Sequence, residues 1–133
     1  MADEIPSIIH HVSLGTNNFA AATVFYDKVL ATIGAKRIFE FPGAVAYGKQ
    51  FPEFWVQKPA DGQSADTANG VHFCFIASSK EAVNAFYSAA IEAGGKDDGE
   101  PGPRSDYGPD YYGAFVRDLD GHKIETAVVT GAS

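Results

Sequence analysis

Val71-His72-Phe73-Cys74-Phe75-Ile76-Ala77 alternates between two kinds of side chain, and its reading decides the fold. In a strand successive side chains point to opposite faces, so His72, Cys74 and Ile76 share one face while Val71, Phe73 and Phe75 share the other. One face is apolar and ready to receive a helix; the other presents an imidazole. Downstream of His72 come Phe86-Tyr87 and then Gly95, and sixty-one residues earlier His11 is followed at the same spacings by Phe25-Tyr26 and Gly34. An offset that holds for a histidine, an aromatic pair and a glycine marks an internal duplication. The chain therefore reads as two copies of one module, with His11 and Ser13 opposing Val12 and Leu14 in the first copy. Two imidazoles at matched positions point to a shared site.

Working outward, residues 8–15 read as the first strand of module one, and Asn17-Asn18 supplies a side-chain oxygen to cap the helix that follows. That helix spans about 19–33: Ala21, Phe25, Val29 and Ile33 recur at four-residue spacing, and Ala22, Tyr26 and Leu30 widen the stripe. Gly34 ends it in the left-handed conformation. Strands at 36–41 and 44–48 flank Pro42-Gly43, where proline presets one torsion and glycine accepts positive φ. A last strand at 54–57 completes a βαβββ order. Residues 59–70 contain no large apolar side chain and form the linker between modules.

In module two the quoted strand leads to Ser78 and Glu81, which have the spacing of a capping box, so a helix starts near Ser79. Val83, Phe86, Tyr87, Ala90 and Ile91 form its buried stripe, and Gly94-Gly95 ends it. Lys96-Asp97-Asp98 is too polar to assign, and 99–109 reads as a long loop rich in Pro and Gly, a length usual for functional or mobile segments. Strands at 111–118 and 123–129 close a hairpin around Asp120-Gly121. The fold class is α+β, with module one at about 8–58, the linker at 59–70 and module two at about 71–129. The two βαβββ modules in tandem are expected to form a curved mixed sheet around a central cleft.

With 133 residues the chain reads as a single domain, because each half alone would be marginal in size and the halves should share a core. Hydrophobic residues make up 45% of it and charged residues 20%, ordinary values for a packed globular chain. Ten basic against seventeen acidic side chains give a formal charge of −7, and no Lys/Arg cluster works against that field, so nucleic acid is excluded as a partner. One cysteine rules out an intramolecular disulfide, and Met-Ala-Asp-Glu-Ile-Pro at the start lacks the basic and apolar segments of a secretory signal. A cytoplasmic location is expected. No run approaches the roughly 18 apolar residues that span a bilayer, so no membrane partner is expected.

Strand phase adds a carboxylate. Glu125 and Ala127 share a face opposite Ile124 and Val128, which turns Glu125 to the side of the two imidazoles. His11, His72 and Glu125 then form a set suited to a divalent ion such as Zn, Ni, Fe or Mn, with positions left open for water or substrate. The alternative is two core histidines and a solvated edge carboxylate. His10 is out of phase with His11 and is placed outside the site; His122 is expected to be exposed in its turn. Cys74 and Ser13 are read as lining groups. In the long loop and at its exit, Arg104, Tyr107, Tyr111 and Tyr112 bring one fixed cation and three phenols, and an arginine fork suits an anionic organic substrate.

These paired modules, with His in the first strand, Phe-Tyr in the helix and Asp118-Leu119-Asp120-Gly121-His122-Lys123-Ile124-Glu125 at the end, resemble the vicinal oxygen chelate superfamily. That group includes glyoxalase I, extradiol dioxygenases, fosfomycin-resistance enzymes and bleomycin-binding proteins. The resemblance covers about residues 8–129. It implies a metal-dependent lyase or isomerase in which the ion, a Lewis acid, chelates vicinal oxygens of a small substrate, with Glu125 as a catalytic group. Extradiol ring cleavage and metal-free drug binding are the alternatives, and a homodimer is expected. Overlaying the last strands of the modules puts Trp55 where glyoxalase I holds a second acidic ligand. Trp55 then offers an aromatic wall to a planar substrate, while Glu53 shares its face.

Overall fold

The computed structural model describes residues 5–129. Its elements follow the duplication: β1 (Val12–Gly15), α1 (Phe19–Ala31), β2 (Lys36–Phe41), β3 (Ala44–Gly48) and β4 (Phe54–Gln57), then β5 (His72–Ile76), α2 (Lys80–Glu92), β6 (Lys96–Pro103), β7 (Tyr111–Arg117) and β8 (Lys123–Val129). Each module is one four-stranded mixed sheet, ordered β1-β4-β3-β2 and β5-β8-β7-β6. In both, the first strand runs parallel to the fourth and the other pairs are antiparallel. The expected tandem of βαβββ modules is present, each module contributing one mixed sheet, and β1 and β5 are edge strands.

Local chemistry sets the boundaries. Asn18 caps α1 by accepting from the Ala21 N–H at 3.1 Å. Helix α2 is capped by Ser79, which accepts from Ala82 N–H at 3.0 Å, so the cap lies one residue beyond the Ser78 that the capping-box spacing suggests. Gly43 takes φ +83 in the β2–β3 turn. The largest departure is β6. Residues 96–103 pair with β7 despite their Pro and Gly content, with register irregularities between Asp97 and Gly99 and between Gly99 and Gly102. An edge strand tolerates this because one side of it needs no ladder hydrogen bonds. Only 104–110 remains a loop.

One core joins the modules. Phe54 and Val56 of β4, Phe73 and Phe75 of β5, Phe25 and Leu30 of α1, and Phe86 and Ala90 of α2 pack in a single apolar cluster. The Phe54 ring meets Phe75 edge-on at 5.0 Å. Phe25 and Phe86, equivalent in the repeat, are 1% and 0% exposed, so this position is equally deep in both copies, whereas Tyr26 is fully buried and its counterpart Tyr87 half-buried. Because the apolar faces of both sheets turn into this cluster, the faces carrying the imidazoles turn away from it.

Polar bonds fix the junction. The Tyr26 hydroxyl donates to Asp118 Oδ2 at 2.6 Å, the Thr16 hydroxyl to Asp120 Oδ2 at 2.6 Å, and the Asn17 N–H to Asp120 Oδ1 at 2.9 Å. His122 is not exposed as its turn position suggests: its Nε2 lies 2.7 Å from the Gly15 carbonyl oxygen and ties the β7–β8 turn to β1. Burial raises the Tyr26 phenol well above its ordinary value, and the adjoining Asp118 adds to this. The phenol therefore stays a donor.

Candidate functional site

The outward face of module two holds a connected polar group. Cys74 pairs in register with Glu125, and Glu125 with Phe115. Although it lies on that face, Glu125 is only 2% exposed. Its Oε1 lies 3.1 Å from His72 Nε2, and its Oε2 accepts the Tyr111 hydroxyl at 2.7 Å. Gly113 makes that second bond possible, because a Cβ there would stand 3.1 Å from Glu125 Oε2 and 3.3 Å from the Tyr111 ring. Burial and Glu125 hold the Tyr111 phenol well above its ordinary value, so it remains protonated and donating. Cys74 Sγ lies 3.8 Å from the Tyr111 hydroxyl, and burial, then Glu125, pushes the thiol up to about 12. A protonated thiol is a lining group rather than a nucleophile.

Module one offers a different surface at the same rows. Ser13 pairs with Trp55 as Cys74 pairs with Glu125, so Trp55 does occupy the position matching the carboxylate. Phe41 stacks on Trp55 at 6.2 Å with planes 8° apart, and Phe39 lies 6.4 Å from the same indole. The small side chains Ala44 and Ala46 lie opposite Phe41 and Phe39 across the ladder. His11 precedes the first ladder residue of β1 and sits 6.4 Å from Trp55, edge-on. His10 is not turned away from it: the two Nδ1 atoms are 2.8 Å apart, and both residues line one cavity of about 540 Å³ with Glu53 and His72.

Within the chain, then, His72 and Glu125 come together and His11 does not join them. Among the described residues no three of His, Cys, Asp and Glu are grouped to hold an ion. The donor chemistry of the His72–Glu125 pair fits a divalent metal as half of a ligand set. Arg104 lies on the module-two face, its guanidinium 5.6 Å from the Phe115 ring. Tyr107 packs edge-on against Tyr111 at 5.2 Å. Tyr112 instead points to α2 and donates to Asn84 Oδ1 at 2.8 Å. The Phe39–Phe41–Trp55 cluster was missed in the sequence, although alternation in β2 against Ala44 and Ala46 is a signal for it.

The chain matches the family model of the Glyoxalase/Bleomycin resistance protein/Dioxygenase superfamily over residues 8–126. It belongs to that superfamily. Members of the superfamily usually bind a divalent metal ion. A glyoxalase/bleomycin resistance protein from Albidiferax ferrireducens T118 is 33% identical, with a TM-score of 0.84 over 92% of this chain and 98% of that one. A glyoxalase-related enzyme from Fulvimarina pelagi (17% identity, TM-score 0.71, 93% and 88% covered) shares the fold. So does a lactoylglutathione lyase from Agrobacterium tumefaciens (22% identity, TM-score 0.64, 97% and 100% covered). No curated protein matches the chain. No helix among the described residues is long and apolar enough to cross a membrane.

Proposed function

We propose that this superfamily member is a metal-dependent lyase or isomerase of the glyoxalase-like kind, acting on a small organic substrate with vicinal oxygens. The observation that carries the reading is the His72–Glu125 pair, 3.1 Å apart on an outward sheet face, with a second imidazole, His11, at the duplicated position of the other module. A bound divalent ion would supply Lewis acidity toward the substrate oxygens. Glu125 is the proton-accepting group: buried, oriented by the Tyr111 hydroxyl at Oε2, and able to take a proton at Oε1. Trp55 in place of a second carboxylate argues for a substrate other than that of glyoxalase I, one with a planar or apolar part.

In this proposal the site is completed by a second copy of the chain. The two imidazole-bearing faces turn away from a common core, so one chain supplies two half-sites. β1 and β5 are both open edges. Beside them lie Ile8, Ile9 and Ile76, which are 98%, 67% and 83% exposed. Open edges flanked by bare isoleucines are what a partner strand covers. A twofold pairing sets module one of each copy against module two of the other and makes two equivalent sites.

The test is zinc uptake by complementation. Wild-type protein should bind about one ion per chain, and His11→Ala and His72→Ala should each bind none. A refolded equimolar mixture of the two variants forms heterodimers with one intact site each and should recover part of the uptake. Unchanged metal content in His72→Ala and Glu125→Gln would sink the ligand set; absent recovery in a dimeric mixture would sink the shared site. Dioxygen uptake with a catechol would reassign the reaction to ring cleavage.

A further inference from the structure

In a chain with seventeen acidic side chains, an arginine without a carboxylate partner is conspicuous. Arg37 is paired with Asp27 and Glu40, and Arg117 with Asp98. Arg104, among the described residues, has no carboxylate partner. It donates instead to two backbone carbonyls, from Nη2 to Glu100 O at 2.6 Å and from Nη1 to Pro103 O at 3.3 Å. A guanidinium has five N–H donors, so the Nε donor and others stay open.

The position is built. Arg104 lies over Phe115, 5.6 Å from the ring centroid, and Phe115 pairs in register with Glu125 on the candidate-site face. Two glycines of β6 make its bed. A Cβ on Gly99 would stand 3.2 Å from Nη2 and 3.0 Å from the Phe115 ring, and one on Gly102 would stand 3.4 Å from Nη1. In module one the matching rows of the outer strand carry Phe39 and Phe41, facing Ala46 and Ala44, where module two has Gly99 facing Phe115 and Gly102 facing Gly113. The duplication therefore isolates the difference: aromatic cover in one copy, a cleared shelf holding a cation in the other. The same Phe115 ring is 5.8 Å from His72, which puts the imidazole and the guanidinium at opposite ends of one short surface. Lys123 Nζ, 4.9 Å from that ring, adds positive charge, though it also leans 3.9 Å from Asp98.

We infer that Arg104, on its shelf of Gly99, Gly102 and Phe115, is a subsite for an organic oxyanion, and that the substrate is an acid whose anionic group is separate from the oxygens presented toward His72 and Glu125. Backbone carbonyls and the aromatic ring hold the guanidinium in place, so little side-chain freedom is lost when the anion arrives. The assignment rests on the preceding reading only for where the other end of the ligand lies. The subsite itself needs no metal.

The experiment is calorimetric titration of chelator-treated protein with benzoate, with neutral benzamide and with phenylphosphonate. Benzoate or phenylphosphonate should bind in the millimolar range or tighter, and benzamide at least about tenfold more weakly; the tighter of the two anions names the oxyanion. Arg104→Gln should weaken the anion about tenfold or more without changing benzamide binding or the melting temperature. Arg104→Lys, which keeps the charge and loses the fork, should fall between. Anion binding that is absent in wild type, equal to benzamide binding, or unaffected in Arg104→Gln overturns the subsite. Zinc uptake on the same samples separates the two proposals: wild type that binds no zinc yet binds the anion through Arg104 overturns the metal reading alone, and normal zinc uptake with Arg104-independent binding overturns the subsite alone.

Discussion

The two modules share a backbone and differ in what they turn outward. On module one, Trp55, Phe39 and Phe41 stack over small residues beside His11. On module two the same rows carry Glu125, Phe115 and glycines, with His72, Tyr111 and Arg104 around them. The central helix position facing the core, by contrast, stayed alike, with Phe25 and Phe86 equally buried. The lesson is that packing holds the deepest core position of a duplicated module fixed, because any change of volume there is felt at once. The outward face is free to diverge. Two identical outward faces would present one surface twice, whereas an aromatic half and a polar half can together grip a ligand with both kinds of end.

The comparison breaks most severely at the core. Phe25→Ala and Phe86→Ala should each cost about 3–5 kcal/mol, and by similar amounts, in urea unfolding. One variant near wild type and the other strongly destabilised would show that the copies are not equivalent inside. Next in size is Trp55→Glu, which gives module one the acidic residue module two has at that row. It should tighten zinc binding, read by chelator competition, and remove an aromatic contact worth about 0.5–1.5 kcal/mol to a planar ligand. Flat metal affinity would mean that Trp55 does not face the ion.

The smallest effect concerns a clamp in module one. Arg37 Nε and Nη2 each reach Asp27 at 2.7 Å, and Tyr47 donates to Asp27 Oδ1 at 2.9 Å, joining α1 to β2 and β3. Burial pushes the Asp27 carboxyl up, but the hydrogen bonds from Arg37 and Tyr47 outweigh it and hold the group below its ordinary value. A depressed carboxyl contributes stability above its unfolded value, near pH 4, and loses it as pH falls through the lower folded value. Asp27→Asn should therefore flatten the acid limb of the urea midpoint between roughly pH 5 and pH 3. A limb of unchanged slope would mean that the exposed pair contributes nothing measurable.

Much of this architecture was legible in the residues because repeats and alternation are local signals. The paired His, Phe-Tyr and Gly spacings located both modules, and β-phase turned Glu125 to the side of His72. What the sequence hid was non-local. Nothing in it shows whether two imidazole faces look toward or away from each other; that depends on Phe54 and Phe75 meeting across the modules. Nor could Asp118 and Asp120 be seen as junction residues, since a turn motif advertises its turn and not the Tyr26 and Thr16 that reach it from far away in the chain. β6 was hidden because its Gly and Pro are poor strand formers. Those glycines are tolerated by an edge and used by Arg104.

Trp55 is the chain's one tryptophan, and it stands half-buried on the outward face of module one. Every photon the protein emits under indole-selective excitation therefore comes from that face and from no other part of the molecule. If a second copy's module two covers it, the emission maximum should move to the red on dilution as the indole regains water, and back on reassociation. A shift with the concentration dependence of sedimentation would make one native side chain an optical gauge of assembly, with no label attached.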